Sequence, residues 1–273
     1  MSTAPIAIVS IFSYLGSAGI IGWRLFNRLE STQQSLRLVT LGLGFLGLML
    51  HTWLLYRGIF SHAGLNLAFF NALSLASWTV VASLLISSLN KPIENLGIVI
   101  MPLAALTVLL DLLYPSLSFM GENTSWVLKL HVLLSMLAYS LLTLASVQAL
   151  LLAVQDRYLR KRKPGGFIRA LPPLMTMEAL LFEMIGIGFV LLTLALLSGF
   201  AFLDNMFAQH LVHKTVLSVV AWMVFGGLLL GRRMWGWRGR KAIIWTLSGF
   251  AILILAYFGS KLVLELILHR TAG

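Results

Sequence analysis

Residues 126–155 read WVLKLHVLLSMLAYSLLTLASVQALLLAVQ, with Lys129 the one charged side chain in the run. A helix of that length extends about 45 Å, against a bilayer hydrocarbon core of about 30 Å. The stretch is read as a membrane-crossing helix that projects past the bilayer at its far end, where Asp156 and Arg157 begin a polar sequence.

Similar runs lie on either side. Apolar stretches fall near 4–23, 38–56, 65–89, 96–114, 179–203, 210–231 and 242–268. Of the 273 residues, 59% are hydrophobic and 11% charged, whereas a soluble domain carries about 25% charged residues. There is too little polar surface for water to be the solvent. The expectation is an all-α, polytopic integral membrane helix bundle of about eight transmembrane helices, forming a single transmembrane domain over 1–273. Met1–Pro5 contains no Lys or Arg, and the first apolar run is longer than the core of a signal peptide, so it is read as a retained span. With no cysteine in the chain, a thiolate metal site and thiol redox chemistry are excluded.

The net charge of +11 would suggest nucleic acid in a soluble protein. Here the positive charge is concentrated in alternate connections. Arg24, Arg28 and Arg37 follow the first stretch, and Arg157, Arg160, Lys161, Arg162, Lys163 and Arg169 follow the fifth. Arg232, Arg233, Arg238, Arg240 and Lys241 follow the seventh. Basic connections stay in the cytoplasm, which predicts both termini outside. The partner implied is membrane lipid, with no nucleic acid.

On that topology His51, His62, His131, His210, His213 and His269 all fall toward the outer face. Haem iron takes imidazole as an axial ligand, and Arg57, Lys129, Lys214, Lys261 and Arg270 supply cations on the same side for its propionates. His131, at a span entrance beside Lys129, is the leading ligand candidate. His51 lies inside an apolar span, where polar groups are functional or paired, so it is either a ligand or a hydrogen bond to a neighbouring helix. His210 and His213 share a face if their segment is helical. His62 and His269 read as solvated loop residues, and Lys261 with Glu265 as an ion pair. Gly42, Gly44, Gly47, Gly186 and Gly188 read as close-packing positions.

Three segments carry a resemblance. Leu130-His131-Val132, with Ser135, Ala138, Tyr139 and Leu142, is similar to the histidine-bearing helix of the CcsA/CcmC cytochrome c assembly proteins. Ile185–Phe189 through Leu191-Leu192-Thr193-Leu194 to Ser198-Gly199 resembles that family's GF-x-LLT-L…G helix. GWRGRKA at 236–242, with Gly249-Phe250 and Ala256–Gly259, resembles its last loop and helix. The resemblance covers about 126–265 and lies closest to the short YpjD-type inner-membrane proteins. The tryptophan-rich outer loop of the haem-presenting members has no counterpart in Phe200–Leu217, and a family histidine is replaced by Leu230.

The resemblance implies a haem-handling protein of the bacterial inner membrane that assists cytochrome c assembly, rather than a complete haem synthetase. The resemblance carries over His131 as an axial ligand of non-covalent, b-type haem at the outer face, and the one-sided histidines and cations add His51 as a second axial ligand, with His213, Lys129 and Lys214 at the site. Apocytochrome c or other assembly proteins are the implied partners. The alternative is a cofactor-free membrane scaffold or regulator acting through the basic cytoplasmic loops. No pair of broken helices suggests a transporter.

Overall fold

The computed structural model describes residues 3–27, 33–61, 64–66, 68–115, 119–120, 126–161, 171–202 and 209–256. The described residues form eight α-helices: α1 Ala4–Asn27, α2 Gln33–Ile59, α3 Phe69–Asn90, α4 Gly97–Leu113, α5 Trp126–Arg160, α6 Leu174–Phe202, α7 Gln209–Trp235 and α8 Arg240–Ile254. Among them, α1 to α7 are each long and apolar enough to cross a membrane, α4 together with the 3-10 turn Glu94–Leu96 that precedes it. The described part of α8 is 15 residues. The remainder of the expected eighth span, together with Lys261, Glu265 and His269, lies outside the described residues, as does His62.

The all-helical membrane bundle is as expected. Two local differences have clear causes. Helix α6 begins at Leu174, five residues before the apolar run, because Pro172 and Pro173 suit a helix start, with the Met177 amide bonded to the Pro173 carbonyl at 3.1 Å. Residues 65–66 leave the third apolar run for a small antiparallel sheet, β1 (Phe60–Ser61), β2 (Gly64–Asn66) and β3 (Phe119–Met120), in the order β1-β2-β3. Asn66 and Asn71 brace the connection into α3: the Asn71 side-chain amide donates to the Asn66 carbonyl at 3.3 Å, and Asn66 Oδ1 accepts from the Ala68 amide.

The chain divides into two compact units, Met1–Glu122 with Lys161–Pro172, and Asn123–Arg160 with Pro173–Gly273. In the first, α1 packs on α2 and α4, and α3 packs on α2 and α4. Gly47 faces the Tyr14 ring, Gly44 faces Leu85 and Gly97 faces Ile21, each too close to admit a Cβ without a shift. Ser10 and Ser17 donate to the carbonyls of Gly47 and Thr40, both at 3.0 Å. With lipid on the outside, such close approach and interhelical hydrogen bonding hold helices together.

In the second unit α5 runs along α6 and also meets α8, while α7 packs on α6 and α8. Gly188 lets α6 close onto Leu142, and Gly249 lets α8 close onto Phe225. The packing role expected of Gly44, Gly47 and Gly188 is therefore observed. Gly42 and Gly186 have open space where a Cβ would stand.

Candidate functional site

His131 sits in the second turn of α5, half-buried, and is tied to α6. Its Nδ1 lies 2.9 Å from the Ala195 carbonyl oxygen and 3.0 Å from Ser198 Oγ. A carbonyl only accepts, so Nδ1 carries the proton and Nε2 keeps its lone pair. The Ser198 hydroxyl donates to the same Ala195 carbonyl at 2.8 Å. Gly199 closes the site: a Cβ there would stand 3.2 Å from His131 Cε1. The same stretch of α6 exposes Leu194, Leu197 and Phe200. The arrangement holds the imidazole in one tautomer and one orientation, with Nε2 unengaged among the described residues. A metal-bound histidine is supported in this way, so the residues present suit an axial ligand.

His51 is placed differently. It is fully buried in the first unit. Nδ1 is 3.2 Å from the Tyr14 hydroxyl and Nε2 is 2.9 Å from Ser74 Oγ. Both ring nitrogens are engaged, and the ring links α1, α2 and α3. Of the two readings open from sequence, this geometry matches the interhelical hydrogen bond, and it leaves no lone pair for an axial position.

Lys129 lies in α5, and His210 and His213 lie in α7; their side chains are outside the described residues. Lys214 follows in the same helix. Among the described residues no group of three or more His, Asp or Glu side chains is arranged to hold a metal ion by itself.

The second unit also contains a charge cluster that sequence reading passed over. Glu178 is buried in the first turns of α6. Arg232 Nη1 donates to its Oε1 at 2.5 Å, Arg238 Nε donates to the same oxygen at 2.8 Å, and the Gly239 amide reaches Oε2 at 3.4 Å. The signal available in sequence was Pro172-Pro173, which sets a helix start that brings Glu178 to the end of the bundle where the arginines lie.

Residues 41–268 match the family model described as cytochrome C assembly protein. The chain belongs to the cytochrome c assembly protein family. It is 44% identical over 137 residues to the inner membrane protein YpjD of Escherichia coli, covering 50% of this chain and 52% of that protein. It is 27% identical over 147 residues to the cytochrome c biogenesis protein CcsA of Chlamydomonas reinhardtii, covering 52% and 40%. A CcsA of Microcystis aeruginosa is 24% identical over 251 residues, covering 71% and 75%. The matched segment thus spans about half the length of the YpjD relative. No solved structure matches the chain significantly. With its apolar helices and its relationship to YpjD, this family member is a multi-pass protein of the bacterial inner membrane.

The three segments that resembled the cytochrome c assembly family all contribute to the second unit. In the first, His131 binds α6, and the Tyr139 hydroxyl donates to the Leu253 carbonyl of α8. In the second, Phe189 stacks on Trp222 with centroids 5.5 Å apart, Thr193 Oγ1 accepts from Trp222 Nε1 at 2.8 Å, and Ser198-Gly199 receive the histidine. The third, GWRGRKA, is the α7–α8 turn. Gly236 and Gly239 take φ of 63° and 54°, backbone that L side chains disfavour. Trp237 lies against Gly231 and Trp245, and Arg238 reaches Glu178. The most distinctive sequence of the three is therefore a structural clasp.

Proposed function

We propose that this cytochrome c assembly family member holds haem at the outer membrane face, with His131 Nε2 as the axial ligand. The observation that carries the reading is the Nδ1–Ala195 hydrogen bond, which leaves Nε2 as the coordinating nitrogen. Family membership supports the assembly role. The alternation of basic connections supports placing His131 toward the outside and both termini with it. Lys129, Lys214 and His213 stand near in sequence or at the start of α7, where they would meet the propionates or the second axial position. His51 is left out, because both of its nitrogens are engaged.

Within this reading the chain's own residues bind and orient. Ala195 and Ser198 hold the imidazole, Gly199 gives it room, and the apolar side chains of α6 exclude water. Haem brings the reactive vinyl groups, and the thiols for them come from the apocytochrome, since this chain has no cysteine.

The test is the absorption spectrum of the purified protein with and without added haem. The expected result is a Soret band that His131→Ala removes and His51→Ala retains. A protein that takes up no haem overturns the proposal.

A further inference from the structure

A second polar site lies in the first unit, where the end of α1, the start of α2, the end of α3 and the turn into α4 meet. It is an open cleft of about 580 Å³ lined in part by Arg24, Arg37, Lys91 and Glu94. Among the described residues, Arg24 and Arg37 line it beside the Glu94 carboxylate. Arg37 donates through Nη2 to the Ser88 carbonyl at 2.6 Å, and its Nε stands 3.5 Å from Glu94 Oε1. The Nε atoms of Arg24 and Arg37 are nevertheless buried without a hydrogen-bond partner. Guanidinium stays charged and can only donate, and a buried donor left unmet is unfavourable. Among the described residues, these two donors lack acceptors, and Glu94 Oε2 is buried without a partner.

A ligand that satisfies this site carries an anionic group with several acceptor oxygens and, close by, an N–H or O–H donor. Phosphate matches the first requirement, since its geometry suits guanidinium. An ammonium or a hydroxyl one short linker away matches the second. We propose that the cleft binds the headgroup of a glycerophospholipid whose phosphate is followed by such a donor. Phosphatidylethanolamine and phosphatidylglycerol have this chemistry; phosphatidylcholine has the phosphate and lacks the donor.

Depth favours a lipid over a soluble phosphoester. Trp23, next to Arg24, is 52% exposed, and Leu89, in the cleft wall, is 56% exposed. Tryptophan in that position marks the headgroup level of a bilayer, and Leu89 offers apolar surface to the start of an acyl chain. The N-terminal ends of α2 and α4 add partial positive charge at the same place. The inference is independent of the haem reading, since it concerns the other unit.

The experiment is the thermal unfolding of the full chain in detergent, titrated separately with phosphatidylethanolamine, phosphatidylglycerol, phosphatidylcholine and inorganic phosphate. Phosphatidylethanolamine and phosphatidylglycerol are expected to raise the midpoint, phosphatidylcholine to do so less, and inorganic phosphate to leave it unchanged. Arg24→Gln should weaken the first two by about tenfold, the loss of one charge-assisted hydrogen bond. Glu94→Ala should bring phosphatidylethanolamine down to the level of phosphatidylcholine. Each shift is measured against the same variant without lipid, so a less stable variant remains readable. Equal shifts from all three lipids, unchanged by Arg24→Gln, overturn the proposal. A full shift from inorganic phosphate assigns the cleft to a soluble ligand and overturns the lipid assignment.

Discussion

The imidazole of His131 is anchored to the backbone of a residue 64 positions later, with Nδ1 2.9 Å from the carbonyl oxygen of Ala195. The bond crosses from α5 to α6. It fixes which nitrogen is protonated and which direction the other faces, and that makes the site sensitive to small changes in α6.

Gly199→Ala tests this sensitivity. The added methyl would press on His131 Cε1 at 3.2 Å. Overpacking of this kind costs about 1–3 kcal/mol if nothing yields. The expected outcome is a folded protein whose Soret band is shifted or whose haem dissociates about tenfold faster, with His131 displaced. An unchanged spectrum and dissociation rate would show that Nε2 does not reach the iron.

Tyr14→Phe removes one of the two hydrogen bonds of His51. Interhelical hydrogen bonds in membranes average about 0.6 kcal/mol, so a loss of that size is expected in unfolding measurements. Haem uptake should be unaffected. Loss of the Soret band in Tyr14→Phe would return His51 to the ligand set.

Glu178→Gln should destabilise the second unit by about 1–3 kcal/mol, since two arginines lose a charged acceptor. Arg232→Gln should cost more than Arg238→Gln, because the Arg232 side chain is 30% exposed and that of Arg238 is 51% exposed, and solvent screens the latter. Unfolding in a mild-to-harsh detergent series reads the order. The reverse order would show that the α7–α8 turn, rather than the ion pair, sets the cost.

Gly231→Ala places a methyl against the Trp237 indole and should destabilise by about 1–3 kcal/mol. Trp237→Ala in the same chain should recover part of that loss. A double-mutant cycle measures the coupling, and strict additivity would mean that the two side chains do not meet.

The absence of cysteine makes every introduced thiol a unique label, which suits a test of orientation. Lys241→Cys should be protected from a membrane-impermeant maleimide in intact cells, and Ser61→Cys should react. The opposite pattern would invert the topology and move His131 to the cytoplasmic end.

Sequence alone determined the solvent and the segmentation. Whether a stretch can cross a bilayer depends on its length and its apolar content, and both are properties of consecutive residues. The helices α1 to α7 accordingly fall close to the apolar runs. The candidacy of His131 was also legible, from its place at a span entrance and from the family-like residues around it. Tertiary structure decided what each polar group does. His51 and His131 are both histidines in apolar surroundings, yet among the described residues one has two nitrogens engaged, by Tyr14 and Ser74, and the other has one. Glu178 takes its arginines from 54 and 60 positions away, and GWRGRKA is a clasp because α7 and α8 fold back at its two glycines. Hydrogen-bond partners this far apart are chosen by helix packing, and no local pattern records them.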